Sequence, residues 1–217
     1  MSSAASSKNG KAAAPARDQA TSTFTLILER LLAATPGAVA AALVDFEGET
    51  VDYAGRGDPF EVKVAAAHWL IVMSEIAEAE KLAPIRQITV RARSRAYLVR
   101  QLEESYAVVL ILHRRAAFAI SERALQEAVT KLSAEAGWPL PRDASRWCGV
   151  EVETARTDRT RPLRMRVADA WQPVEVMGAL VGLAPREKGF RVRLPNGAEM
   201  TLVRERLGGW FTDEPFE

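Results

Sequence analysis

The stretch FEVKVAAAHWLIVMSEIAEAEK, residues 60–81, decides how the rest of the chain is read. Val62, Ala65, Ala66, Trp69, Leu70, Met73, Ile76 and Ala77 recur at spacings of three and four, which puts them on one helical stripe wide enough to cover a sheet. Asp58 and Pro59 in front supply an N-cap and a first helical position of fixed φ. Val64, Ala67 and Ile71 fall on the opposite side of the same wheel, and polar residues gather there only later, at Ser74, Glu75 and Glu78. The first half of the helix therefore calls for burial on two sides, one more than a self-contained domain offers.

Toward the N-terminus, Phe24, Ile27, Leu28, Leu31 and Leu32 predict a short amphipathic helix stopped by Thr35-Pro36-Gly37. Ala38 to Phe46 and Thr50 to Ala54 predict a hairpin in which Gly48 supplies the positive φ of the turn. Toward the C-terminus, Ile88 to Arg93 and Ala96 to Leu102 alternate as half-solvated strands do, whereas Tyr106 to Leu112 is apolar throughout, as a central strand covered on both faces. A third helix is expected over about Phe118 to Ala136, with Leu125, Val129 and Leu132 inward and Gly137 as its stop. The order is α-β-β-α-β-β-β-α.

Beyond Leu140 the texture becomes β. Short runs at Leu163 to Val167, Val174 to Leu183, Phe190 to Leu194, Met200 to Arg204 and Trp210-Phe211 predict a small antiparallel barrel or rolled sheet. Pro195-Asn196-Gly197 reads as a tight type I′ hairpin. The expected division is a disordered tail at 1–21, a domain at 22–138, a linker at 139–160 that holds one strand near Gly149 to Thr154, and a β-rich domain at 161–217.

Composition narrows the function classes. The 29 basic and 28 acidic residues leave a net charge of +1, so no global field points to nucleic acid or an acidic membrane. A single cysteine, Cys148 beside Trp147, excludes an internal disulfide and a cysteine-based zinc site and reads as core filling. The first 20 residues lack the apolar run of a secretory signal, and no stretch reaches the length of a membrane span, so a cytoplasmic protein is expected. His68 and His113 lie on different elements, each reading as an interface or strand-end residue rather than a base. Gly55-x-Gly57 lacks the lysine ending of a phosphate loop, and Asp45-x-x-Gly48 is too short for a calcium loop. No catalytic, cofactor-binding or metal-binding set is expected, and an enzyme survives only if the β-rich part hides a pocket.

The informative charges are arginines. Arg86, Arg91, Arg93, Arg95, Arg100, Arg114 and Arg115 face only Glu103 and Glu104 in their segment. They read either as the protected edge of a solvated sheet or as a patch for an acidic protein. Arg156, Arg159, Arg161, Arg164 and Arg166 form a second cluster without interleaved exposed aromatics, which disfavours single-stranded nucleic acid.

The element order, the Gly37-Ala38-Val39 entry into the first strand and the hairpin Asp45-Phe46-Glu47-Gly48 resemble the roadblock/LC7 family, over about residues 23–137. The resemblance implies an α+β fold: a roadblock/LC7-like α-β-β-α-β-β-β-α sandwich, here with a small C-terminal antiparallel β domain. It also implies a homodimer or a pair of like domains, in which middle helices pack together and sheets join at their edges. The implied partner is a small Ras-like GTPase, in some bacterial relatives one that controls cell polarity or motility, with no membrane contact. On that reading Val64, Ala67, His68, Ile71, Ile88, Val90, Arg91 and Arg93 form the dimer or partner interface. In the alternative, this part is only a dimerisation platform and the β-rich part recognises a protein or nucleic acid.

Overall fold

The structure is a computed structural model and describes residues 17–78, 85–102, 106–116, 120–140 and 147–213. Helix α1 (Thr23–Ala34) begins at a capping box, in which the Ser22 hydroxyl accepts from the Thr25 N–H and the Thr25 hydroxyl accepts from the Ser22 N–H. Strands β1 (Ala38–Val44) and β2 (Thr50–Gly55) follow, then α2 (Pro59–Ala77), β3 (Gln87–Arg91), β4 (Arg95–Gln101), β5 (Ala107–His113) and α3 (Glu122–Ala136). These strands form one antiparallel sheet in the order β2-β1-β5-β4-β3. The run expected to be covered on both faces is β5, the central strand, and Ala107 to Leu112 are all buried.

Alternation along each strand divides the core in two. Ala41, Leu43, Leu98, Val108, Leu110 and Leu112 face α1 and α3. Ala40, Ala42, Val44, Val99, Val109 and Ile111 face α2, whose Val62, Ala66, Leu70 and Met73 cover them. One helix thus covers a face that spans five strands.

The β1–β2 turn is a three-residue loop closed by Asp45 N–H to Glu49 O and Gly48 N–H to Asp45 O, with Gly48 at φ +84°. The turn at Pro195-Asn196-Gly197 repeats it, closed by Leu194 N–H to Ala198 O, and only Gly197 has a positive φ. It is therefore a type I turn with a glycine bulge rather than the type I′ turn read from Asn-Gly, because Pro195 fixes a negative φ at the first central position.

The C-terminal unit has two sheets: β6 (Cys148–Val150) with β10 (Glu175–Ala179), β11 (Lys188–Arg193), β12 (Glu199–Arg204) and β13 (Trp210–Thr212), and a second of β7 (Val152–Thr154), β8 (Pro162–Val167) and β9 (Ala170–Pro173). Only Glu151 separates β6 from β7 and only Val174 separates β9 from β10, so two strands bend from one sheet into the other. Between the sheets Met165, Val192, Leu194, Met200, Leu202 and Trp210 form one core. This is a rolled antiparallel sheet.

Two segments differ from their composition. The strand expected near Gly149 to Thr154 is present, divided at Glu151 into β6 and β7, but its partners on β13 and β8 make it part of the rolled sheet rather than of a linker. Of the expected tail, residues 1–16 lie outside the described residues, but Arg17 and Asp18 are fastened to β2 and α2: Arg17 pairs with Asp52, the Tyr53 hydroxyl donates to Asp18 at 2.7 Å, and Lys63 of α2 pairs with Asp18 at 2.8 Å. The third helix starts four residues later than expected, where Ser121 accepts from the Ala124 N–H. Phe118, Lys81, Glu103 and Glu104 lie outside the described residues.

Candidate interaction surface

The outer face of α2 carries Phe60, Val64, Ala67 and Ile71, at spacings of four, three and four residues. Phe60 is 74% exposed, Val64 50% and Ile71 55%, so the second apolar side read from the sequence has no full cover among the described residues. Ala67 is half-buried because the β1–β2 turn reaches it; a Cβ added at Gly48 would stand 3.4 Å from the Ala67 Cβ. His68 is exposed, edge-on to Trp69 at 6.0 Å, and Trp69 packs on Tyr97 of β4 at 5.0 Å.

Strand β3 is the sheet's edge on that side. Its pairing, Ile88 opposite Val99 and Val90 opposite Tyr97, turns Ile88 and Val90 to the α2 face. Arg91 stands opposite Ala96 and so points to the α1/α3 face, apart from the other candidates. Arg93 lies in the β3–β4 turn, at the end of the sheet. The structure thus gathers Val64, Ala67, His68, Ile71, Ile88 and Val90 on one side of the molecule. A groove of roughly 600 Å3 runs beside the first half of α2, with Val39, Tyr97 and Ile111 among its lining residues and Arg56 and Arg95 at its rim.

The opposite edge, β2, is covered. Arg17 donates to the Tyr53 carbonyl and the Asp52 carboxylate, and Asp52 also accepts from the Ser22 and Thr25 hydroxyls and the Tyr53 N–H. Burial pushes the Asp52 pKa upward, but these donors outweigh it and hold the carboxyl below its ordinary value. Sequence reading missed this lock; its one signal was an acid in the middle of an apolar edge strand.

The α3 helix bears a second unanticipated contact. Arg123 donates to Glu187 at 2.6 Å and to Glu205 at 3.1 Å while its guanidinium lies 4.7 Å from the Trp147 ring centre. The Glu127 carboxylate accepts from the Gly149 N–H at 3.0 Å. Phe211 of β13 belongs to the α1/α3 core and is 4% exposed. The rolled sheet is therefore packed onto α3. Cys148, at this junction, is half-buried, and burial raises its thiol pKa.

Among the described residues no three His, Cys, Asp or Glu side chains stand together as a metal site. No described helix is long and apolar enough to cross a membrane.

No protein-family model matches the sequence and no curated protein matches it. Among solved structures, the chain is similar to a roadblock/LC7 domain from Streptomyces avermitilis, at 16% identity over 52% of this chain and 97% of that one, with a TM-score of 0.43. It is similar to Myxococcus xanthus MglB at 16% identity over 54% and 98%, TM-score 0.44. It is also similar to the gliding protein MglB of Thermus thermophilus at 19% identity over 52% and 88%, TM-score 0.45. The matched half corresponds in extent to the first unit, and the rest of the chain is the β-rich region.

Proposed function

We propose that the chain is a non-catalytic, dimeric docking protein that regulates or scaffolds a protein partner, by its roadblock-like order a small Ras-like GTPase, in a bacterial cytoplasm. The observation that carries this reading is the uncovered stripe of Val64 and Ile71 on α2, beside a sheet edge at β3 that pairs with no further strand among the described residues. A row of exposed apolar side chains on a two-sided helix marks an interface rather than a solvated face. A two-fold pairing would set Val64 of one copy against Ile71 of the other, with the small Ala67 near the axis allowing close approach. The partner GTPase would then be bound by the composite surface, with no catalytic residue supplied from this chain.

Sedimentation velocity tests the assembly: the wild type should run as a dimer and Ile71→Asp as a monomer with an unchanged circular dichroism spectrum. A dimeric Ile71→Asp protein would remove α2 from the interface. For the partner, a pull-down from native extract with and without GTP should retain a small GTPase on the wild type, and recovery of none would end the GTPase reading.

A further inference from the structure

Five arginines that are scattered in sequence meet at one end of the first sheet. Antiparallel register sets Arg95 opposite His113 and Gly55 opposite Ala40, so the end of β2, the start of β4, the end of β5 and the β3–β4 turn share that end. Arg56 follows β2 at one edge, Arg114 and Arg115 follow β5 at the centre, Arg95 opens β4, and Arg93 lies in the turn at the other edge. None of the five makes an ion pair or side-chain hydrogen bond with another described residue, whereas Arg17, Arg123, Arg164, Arg166, Arg191 and Arg193 all have carboxylate partners. The chain as a whole is nearly neutral, so this local excess is not an overflow of general basicity. Against it stand Asp58 and Glu61, and the Asp58 carboxylate is engaged in capping α2 by accepting from Phe60 N–H and Glu61 N–H.

The geometry points to a docking site for an acidic segment of a partner protein across this end of the sheet, with an apolar residue of that segment seated beside Phe60. Five strands at about 4.8 Å spacing make the end roughly 20 Å wide, the span of about six residues of extended chain. The apolar part of the site is present too. Phe60 is 74% exposed, and it lines the mouth of the groove together with Val39, Ile111 and the rim arginines Arg56 and Arg95. A nucleic acid fits less well: its backbone carries a charge at every step and would run over Asp58 and Glu61, whereas a peptide places acids only opposite the arginines. The site begins one turn before the Val64–Ile71 seam, and Ile71 is not among the residues that line the groove.

Fluorescence anisotropy on the full chain tests it, with a labelled peptide of about twelve residues made of glutamates around a central phenylalanine. The wild type should bind it, and binding should weaken severalfold between about 50 and about 300 mM salt. Arg93→Glu/Arg114→Glu/Arg115→Glu should weaken it by at least about tenfold, with the neutral Gln triple between the two and melting temperatures unchanged. Ile71→Asp should bind the peptide as the wild type does, which separates this site from the dimer seam. Absence of wild-type binding, indifference to the triple charge reversal, or tighter binding of a labelled oligothymidine than of the peptide would each overturn the proposal.

Discussion

Val64 and Ile71 stand two turns apart on one face of α2, half-exposed at 50% and 55%, with Ala67 between them. Because neither belongs to the buried core, replacing both with serine should change the stability of the folded monomer by no more than about 1 kcal/mol. The same pair should raise the dimer dissociation constant at least about tenfold, since the seam loses two apolar anchors. Urea denaturation at low protein concentration reads the first quantity and sedimentation equilibrium the second. A large loss of monomer stability would mean that this face is occupied within the chain.

Asp52 ties the segment before α1 to the β2 edge. Asp52→Ala leaves Arg17, Ser22 and Thr25 without their shared acceptor and should cost about 2–3 kcal/mol in urea denaturation. Its pKa is lowered on folding, so its contribution is complete above the unfolded value near 3.9 and is lost as pH falls through the lower folded value. The wild type should therefore lose stability on acidification below about pH 4 more steeply than Asp52→Asn. Parallel acid limbs for the two proteins would count against the lock.

Phe211 belongs to the strand sheet of one unit and the helix core of the other. Phe211→Ala should cost about 3–4 kcal/mol through the cavity it leaves beneath α3. Ending the chain after Leu140 should expose that core, so the shortened protein should melt well below the intact one. The intact chain should melt in a single calorimetric transition, and two separated transitions would show that the units are not coupled.

Gly55 has a φ of +112°, and a Cβ added there would lie 2.4 Å from the Val39 carbonyl oxygen. Gly55→Ala should destabilise the protein by more than about 2 kcal/mol, because both the backbone and its neighbour must move. Thermal melting checks this; a change within error would require β1 and β2 to separate more easily than their pairing suggests.

The first eight elements were legible because each has a strong local period: spacings of three and four in α2, alternation in β4, and an unbroken apolar run in β5. Both sides of α2 could be seen from the wheel alone, and the structure fills only one of them. What was hidden depends on residues far apart. A strand near Gly149 to Thr154 could be read, but not its division at Glu151 between two sheets, because that depends on partners in β13 and β8. Arg123 looks like any solvent-facing arginine on an amphipathic helix, and its partners lie 64 and 82 residues away. Arg17 sits beside a stretch whose composition resembles a tail, and only the fold brings it to Asp52. Proximity in sequence puts Arg91 and Arg93 with Ile88 and Val90, yet the pleat sends Arg91 to the other face and the turn carries Arg93 to the sheet's end.

The bonds from Arg123 to Glu187 and Glu205 hold the rolled sheet on the α3 side of the first sheet, across from α2. The Val64–Ile71 stripe therefore lies across the first sheet from the rolled sheet. Two chains meeting through α2 would carry their rolled sheets outward, away from the seam.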